Sequence, residues 1–70
     1  MSADNMICVK KIDDLWWVWH DFASNEQPSP NINRDRSFAD ENNALKYAFD
    51  MVDEIGYVEY GVNRMNTETT

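Results

Sequence analysis

The alternation of hydrophobic and polar positions predicts a β-hairpin near the start of the chain. Residues 6–12 are rich in apolar and β-branched side chains, and residues 15–22 continue with aromatics after Asp13 and Asp14. Aspartate tolerates the left-handed backbone of a two-residue turn, although glycine at the second position would be the stronger signal. The resulting register pairs Ile12 with Leu15, Val9 with Val18, Cys8 with Trp19 and Ile7 with His20.

This register assigns each hairpin residue to one face of the sheet, because successive side chains of a strand point to opposite faces. One face carries Ile7, Val9, Trp16, Val18, His20 and Phe22, and the other carries Met6, Cys8, Lys10, Trp17, Trp19 and Asp21. We expect the second face to be open to solvent or to a partner, with Trp17 and Trp19 exposed on it. In the alternative, the loop that follows the hairpin covers both rings.

A helix is predicted over residues 40–55, where apolar side chains recur at intervals of three and four. Asp40 is the expected N-cap and Gly56 the expected stop. The apolar face consists of Ala44, Leu45, Ala48, Phe49, Val52 and Ile55.

The remaining segments are a long loop and a further strand. Residues 23–37 contain Pro28, Pro30 and an isolated Ile32 without any periodicity, and loops of this length tend to be functional or mobile. Residues 57–65 alternate as a half-buried strand does. Residues 1–5 and 66–70 are expected to fray.

The elements therefore follow in the order strand, strand, helix, strand within a single domain over residues 1–70. Because the helix returns across the sheet, the third strand is expected to run parallel to the second. With the first strand central, the strand order is 2-1-3 and every neighbouring pair is antiparallel. The expected fold is of the α+β class, a two-layer ββαβ arrangement in which one helix packs on one face of a three-stranded antiparallel sheet.

Composition narrows the classes of function. The 70 residues include 13 acidic and 6 basic side chains, for a net charge of -7. Three Trp, three Tyr and three Phe are too many for an acidic disordered tail. Since phosphate binding depends on Lys and Arg, the charge argues against direct contact with nucleic acid and favours a protein partner with a basic surface.

Further features indicate a cytoplasmic protein. Cys8 is the single cysteine, so no internal disulfide can form, as is usual in a reducing compartment. No apolar run approaches the roughly 18 residues of a membrane span, and residues 1–5 lack the pattern of a signal peptide. The chain is also short for a deep enzyme pocket beside a core.

Catalytic and metal-binding chemistry is not predicted. His20 is the only histidine, and the register places it on the opposite face from Cys8. Glycine-rich phosphate loops, paired-cysteine motifs and two-histidine zinc motifs are absent from the sequence. We therefore expect no enzyme activity and no cofactor.

The position of the acidic residues suggests a binding surface. Asp50, Asp53 and Glu54 fall in the last turn and a half of the predicted helix, where the macrodipole favours cations. Lys46 offers Asp50 only a weak pair. The alternative is that these carboxylates merely solvate the helix. The predicted partner-binding residues are Asp13, Asp14, Trp17, Trp19, Asp50, Asp53, Glu54 and Glu59.

Several short motifs in a common order resemble a family of small phage and prophage proteins that open with MSADN. The motifs are residues 1–5 (MSADN), Val18 and His20 in the second strand, residues 44–48 (ALKYA) and residues 59–62 (EYGV). The resemblance implies a viral or mobile-element origin and an αβ fold, and it implies no activity. Trp17 and Trp19 depart from the family, which has small or polar residues there, and would suit a specialised contact.

Together these features favour a non-enzymatic inhibitor of nucleic-acid machinery in the cytoplasm of an infected bacterial host, of the anti-CRISPR or DNA-mimic type. Carboxylates would replace phosphates on a basic channel, and Trp17 and Trp19 would anchor the contact. One alternative is an oligomeric small-ligand binder or sponge, with a site built between subunits from Trp and His side chains. Another is an accessory phage protein. A homodimer through the open sheet face or an edge strand is a further alternative.

Overall fold

A computed structural model describes residues 4–65. Within them, four strands form one sheet, and one helix packs against one of its faces. This confirms the α+β class. The elements are β1 (Asn5–Ile12), β2 (Leu15–Phe22), β3 (Arg36–Phe38), α1 (Glu41–Ile55) and β4 (Val62–Arg64), and the sheet order is β3-β2-β1-β4.

The hairpin forms with the predicted two-residue turn. Asp13 and Asp14 have φ angles of 54° and 67°, and two successive left-handed residues match the right-handed twist of the flanking strands. In the pairing of β1 with β2, Ile12 lies opposite Leu15, Val9 opposite Val18, Cys8 opposite Trp19 and Ile7 opposite His20, as the sequence predicted.

The sheet has a fourth strand that the sequence did not predict. β3 pairs antiparallel with β2 and places Phe38 opposite Trp16, so the loop covers residues 23–35 instead of 23–37. The expected three-stranded sheet is therefore wrong. The sequence did not reveal β3 because three residues are too few to produce an alternating pattern.

The additional strand also reverses the direction of the last one. β4 lies beside β1, where the final strand was expected, but it runs parallel to β1 instead of antiparallel. With β3 present, the chain changes direction once more before α1 begins. The helix then returns it to the end of the sheet from which β1 also starts.

The final strand is much shorter than the predicted 57–65. Glu59 and Tyr60 form a turn, and Gly61 has a left-handed φ of 65°, which interrupts an extended strand. The buried Asn5 side chain holds this turn: its Nδ2 donates to the Tyr57 carbonyl at 3.0 Å, and its Oδ1 accepts from the Glu59 amide at 2.9 Å.

Asn5 also corrects the expectation that residues 1–5 fray. It is the first residue of β1 and is buried, and the Asp4 carbonyl accepts a hydrogen bond from the Ala23 amide at 2.7 Å. The expectation is therefore wrong for residues 4 and 5. Residues 1–3 and 66–70, for which fraying was also expected, lie outside the described residues.

The helix begins and ends as predicted. The Asp40 side chain accepts from the Asn42 amide at 3.4 Å, and the Gly56 amide donates to the Val52 carbonyl at 2.9 Å. Gly56 has a φ of 94°, which a residue without a Cβ adopts at little cost. The core between α1 and the sheet consists of Ile7, Val9, Val18, Ala44 and Ala48, flanked by half-buried apolar side chains.

The second face of the sheet is not open, contrary to expectation. Met6, Cys8 and Trp19 are buried there, with Trp17 and Met65 packed against them. The Trp19 side chain is only 2% exposed, and its Nε1 donates to Asp21 Oδ2 at 2.8 Å. Trp19 therefore belongs to a second core and is not an exposed anchor.

Burial in this second core determines the reactivity of the single cysteine. Burial, with a smaller contribution from the negative charge of Asp21, raises the pKa of Cys8 to about 12. The nucleophilic thiolate is then scarce at neutral pH. We expect an aromatic disulfide reagent at pH 8 to leave native Cys8 unmodified for as long as the protein stays folded, and to modify one thiol per chain at once in 6 M guanidinium chloride. Rapid modification of the native protein would show that this face opens readily.

Candidate protein interface

The structure divides the predicted acidic residues between the two ends of the sheet. Asp13 and Asp14 form the hairpin turn, and α1 begins at that end because β3 runs toward the turn. α1 finishes at the opposite end, where Asn5 binds Tyr57. The carboxylates at this second end, here named the acidic helix end, belong to Asp50, Asp53, Glu54 and Glu59. Six predicted carboxylates therefore make two separate groups.

Among residues 4–65, no basic side chain forms an ion pair with a carboxylate of the acidic helix end. All four of its carboxylate side chains are exposed, and the last turn of α1 contains no basic residue. Within residues 4–65 the ion pairs are Arg34 with Asp35 and Arg64 with Glu41, so Lys46 does not pair with Asp50. The negative end of the helix dipole thus adds to a group of unpaired carboxylates.

Exposed apolar side chains lie at the same end of the domain as these carboxylates, and their exposure was not predicted. Phe49 is 61% exposed and Tyr57 is 63% exposed, and the exposed apolar side chains of α1 and the turn that follows it, here named the apolar rim, are Phe49, Ile55, Tyr57 and Tyr60. The sequence placed Phe49 and Ile55 in the core. Phe49 lies about 100° round the helix from the buried Ala48, and Ile55 is the last residue of α1. Tyr57 and Tyr60 lie in the segment that was expected to be a strand.

A groove on α1 combines both kinds of side chain. Its volume is about 250 Å³, and it is lined by Tyr47, Met51 and Ile55 together with Asp50 and Glu54. The two carboxylates are four residues apart, so they lie on the same side of the helix. An apolar surface beside two acids suits a lysine or arginine side chain, whose stem is apolar and whose head is charged.

Hydrogen bonds hold the turn beyond the helix. The Tyr57 hydroxyl donates to Glu59 Oε1, and this hydrogen bond to a carboxylate raises the pKa of Tyr57 above its ordinary value. The Tyr60 amide donates to the Asn5 carbonyl at 3.1 Å. Asn5 therefore positions the part of the surface that follows α1.

The other predicted residues lie elsewhere. Trp17 is half-buried on the second face of the sheet. Trp19, which was predicted to be exposed beside it, is buried on the same face. His20 lies on the helix side of the sheet with its ring centroid 5.5 Å from that of Phe22. Its Nε2 is buried and has no hydrogen-bond partner among the described residues. Over residues 4–65, no group of three or more His, Cys, Asp or Glu side chains is arranged to hold a metal.

No family model, curated protein or solved structure matches the chain. In the part of the chain that the structure describes, α1 is the sole helix, and it is neither long nor apolar enough to cross a membrane.

Proposed function

We propose that this protein acts by binding another protein, without catalysis, and that the acidic helix end and the apolar rim are its binding surface. The observation that carries the proposal is the coincidence of unpaired carboxylates with exposed aromatic rings at one end of the domain. The carboxylates lie where the helix dipole makes them unfavourable for stability. A surface that opposes stability in this way and exposes large apolar side chains is typical of an interface.

The charge of the surface determines the kind of partner. Asp50 and Glu54 line one side of the groove on α1, so a lysine or arginine of the partner could lay its stem over Met51 and direct its charge to the two acids. Charge complementarity of this kind mainly accelerates and orients association. Burial of Phe49 and Tyr57 would supply the affinity that solvent-screened charges lack.

We further propose that the partner is a basic nucleic-acid-binding protein of a bacterial host, and that binding inhibits it. The carboxylates would occupy the positions of phosphates along a Lys- and Arg-rich channel, as expected for a DNA mimic or an anti-CRISPR protein. The resemblance of the sequence motifs to phage proteins supports this host. The net charge of -7 supports a partner of the opposite sign.

Retention from a bacterial lysate tests this function. The immobilised protein is expected to retain a nucleic-acid-binding protein at about 0.15 M salt, where the Debye length is about 8 Å. Duplex DNA should release that protein, because DNA and the acidic surface compete for one basic channel. Retention that duplex DNA does not affect would contradict mimicry of nucleic acid, while leaving protein binding itself in place.

A further inference from the structure

A second groove lies at the other end of the domain, between the hairpin turn and the 23–35 loop. Its volume is about 310 Å³, close to the lower end of the roughly 300–1,000 Å³ of small-ligand sites. Its walls are mostly apolar and are formed by Ile12, Leu15, Trp17, Pro30 and Ile32, with Asp13 at the turn. It shares no residue with the acidic helix end and lies on the sheet face opposite α1.

We propose that this groove binds a small organic cation, an amine attached to an aromatic or aliphatic group. Asp13 is the one charged residue that lines it within residues 4–65, and no ion pair there engages Asp13. A positive ligand would therefore meet an available carboxylate. It would also lie near the Trp17 ring, and indole is the aromatic side chain that attracts cations best.

Hydrogen bonds within the loop shape the wall of the groove around Ile32. The Asn31 amide donates to Asp35 Oδ2 at 2.7 Å, and the Asn33 amide donates to Asn31 Oδ1 at 2.9 Å, so local turns fix the loop on both sides of Ile32. Ile32 is 76% exposed at the edge of this groove. A wall held by hydrogen bonds reduces the ordering that a ligand must impose, and an exposed isoleucine gains by covering the apolar part of that ligand.

A neighbouring lysine sets a limit on the affinity. Lys10 is paired with Trp17 across the hairpin and shares its face of the sheet, although it does not line the groove. Its positive charge opposes the binding of another cation on that face. Removal of this charge in Lys10→Met is therefore expected to strengthen binding of a cation and to leave binding of a neutral analogue unchanged.

Titration of the full chain with three probes of similar shape tests the proposal. The probes are 2-phenylethylammonium, the neutral 2-phenylethanol and the anionic 3-phenylpropanoate, followed by amide NMR shifts and tryptophan fluorescence. We expect saturable shifts at residues 12–17 and 29–32, with the ammonium binding about fivefold more tightly than the alcohol and the anion binding most weakly. Asp13→Asn should remove the ammonium's advantage and preserve the fold, since asparagine tolerates the left-handed turn.

Three results with the wild-type protein would overturn the proposal, and a fourth comes from a control variant. The first three are the absence of saturable shifts with all three probes, equal affinity for the ammonium and the alcohol, and shifts confined to the acidic helix end. Asp53→Asn/Glu54→Gln serves as the control, because it removes two carboxylates far from the groove and should leave ammonium binding unchanged. An equal loss in this control and in Asp13→Asn would show that only the net charge matters.

Discussion

Trp19→Ala is expected to lower the free energy of unfolding by about 3–5 kcal/mol, the usual effect of deleting a buried Trp ring. The Trp19 side chain is 2% exposed, packs with Met6 and Cys8, and satisfies its Nε1 through Asp21. A domain of this size has a total stability of only about 4–10 kcal/mol. Trp19→Ala should therefore lose roughly half or more of the total stability and unfold at a much lower urea concentration than the wild type, as measured by circular dichroism.

Trp17→Ala is the matched control for this substitution. Trp17 is a neighbouring tryptophan on the same face and is only half-buried, so its removal should cost clearly less. If Trp19→Ala unfolded at the same urea concentration as the wild type, the ring would not be part of a core. Trp19 would then regain the role of exposed anchor that the alternation of the strand first suggested.

Neutralising the acidic helix end is expected to stabilise the protein while weakening its interaction with a partner. In Asp50→Asn/Asp53→Asn/Glu54→Gln, three carboxylates leave the negative end of the helix dipole. Each such change is worth about 0.3–1 kcal/mol at low ionic strength. Because about 1 kcal/mol shifts the melting temperature of a small domain by roughly 4–8 °C, a rise of several degrees is expected in calorimetry at low salt.

The opposite terminus of the helix supplies the control that separates the dipole from net charge. Asn42 and Asn43 are exposed in the first turn of α1, and Asn42→Asp/Asn43→Asp makes the protein more negative. If the dipole dominates, this change also stabilises, and both effects shrink in 1 M salt. Destabilisation by the added aspartates would show instead that repulsion across the whole molecule sets the trend.

The hairpin and the helix could be predicted from sequence because local signals define both. The Asp13 and Asp14 turn fixes the register of the hairpin, and the Asp40 and Gly56 caps fix the limits of α1. β3 could not be predicted, because its three residues gain their structure by pairing with β2. Omission of one strand reverses the expected direction of the next, so this single omission also made β4 antiparallel in the prediction.

The candidate surface was predicted only in its charged part. The sequence shows that Asp50, Asp53 and Glu54 share a helix end, since this follows from spacing alone. The sequence does not show that the hairpin turn lies at the end of the sheet opposite the acidic helix end, because that placement depends on the path of the chain through β3. Tyr57 and Tyr60 were missed because their alternating pattern resembles a strand, whereas Asn5 and the left-handed Gly61 hold the segment as a turn.

The central claim is that the acidic helix end, and not net charge in general, recognises a partner. The most direct test compares two variants that each lose two negative charges, Asp50→Asn/Glu54→Gln at the acidic helix end and Asp13→Asn/Asp14→Asn at the hairpin turn, for retention of the DNA-displaceable host protein. At about 0.2–1 kcal/mol for each exposed ion pair, the loss of two pairs should make the first variant bind roughly 2- to 30-fold more weakly. The second variant should bind as the wild type does. Equal losses in the two variants, or unchanged binding by the first, would contradict the claim.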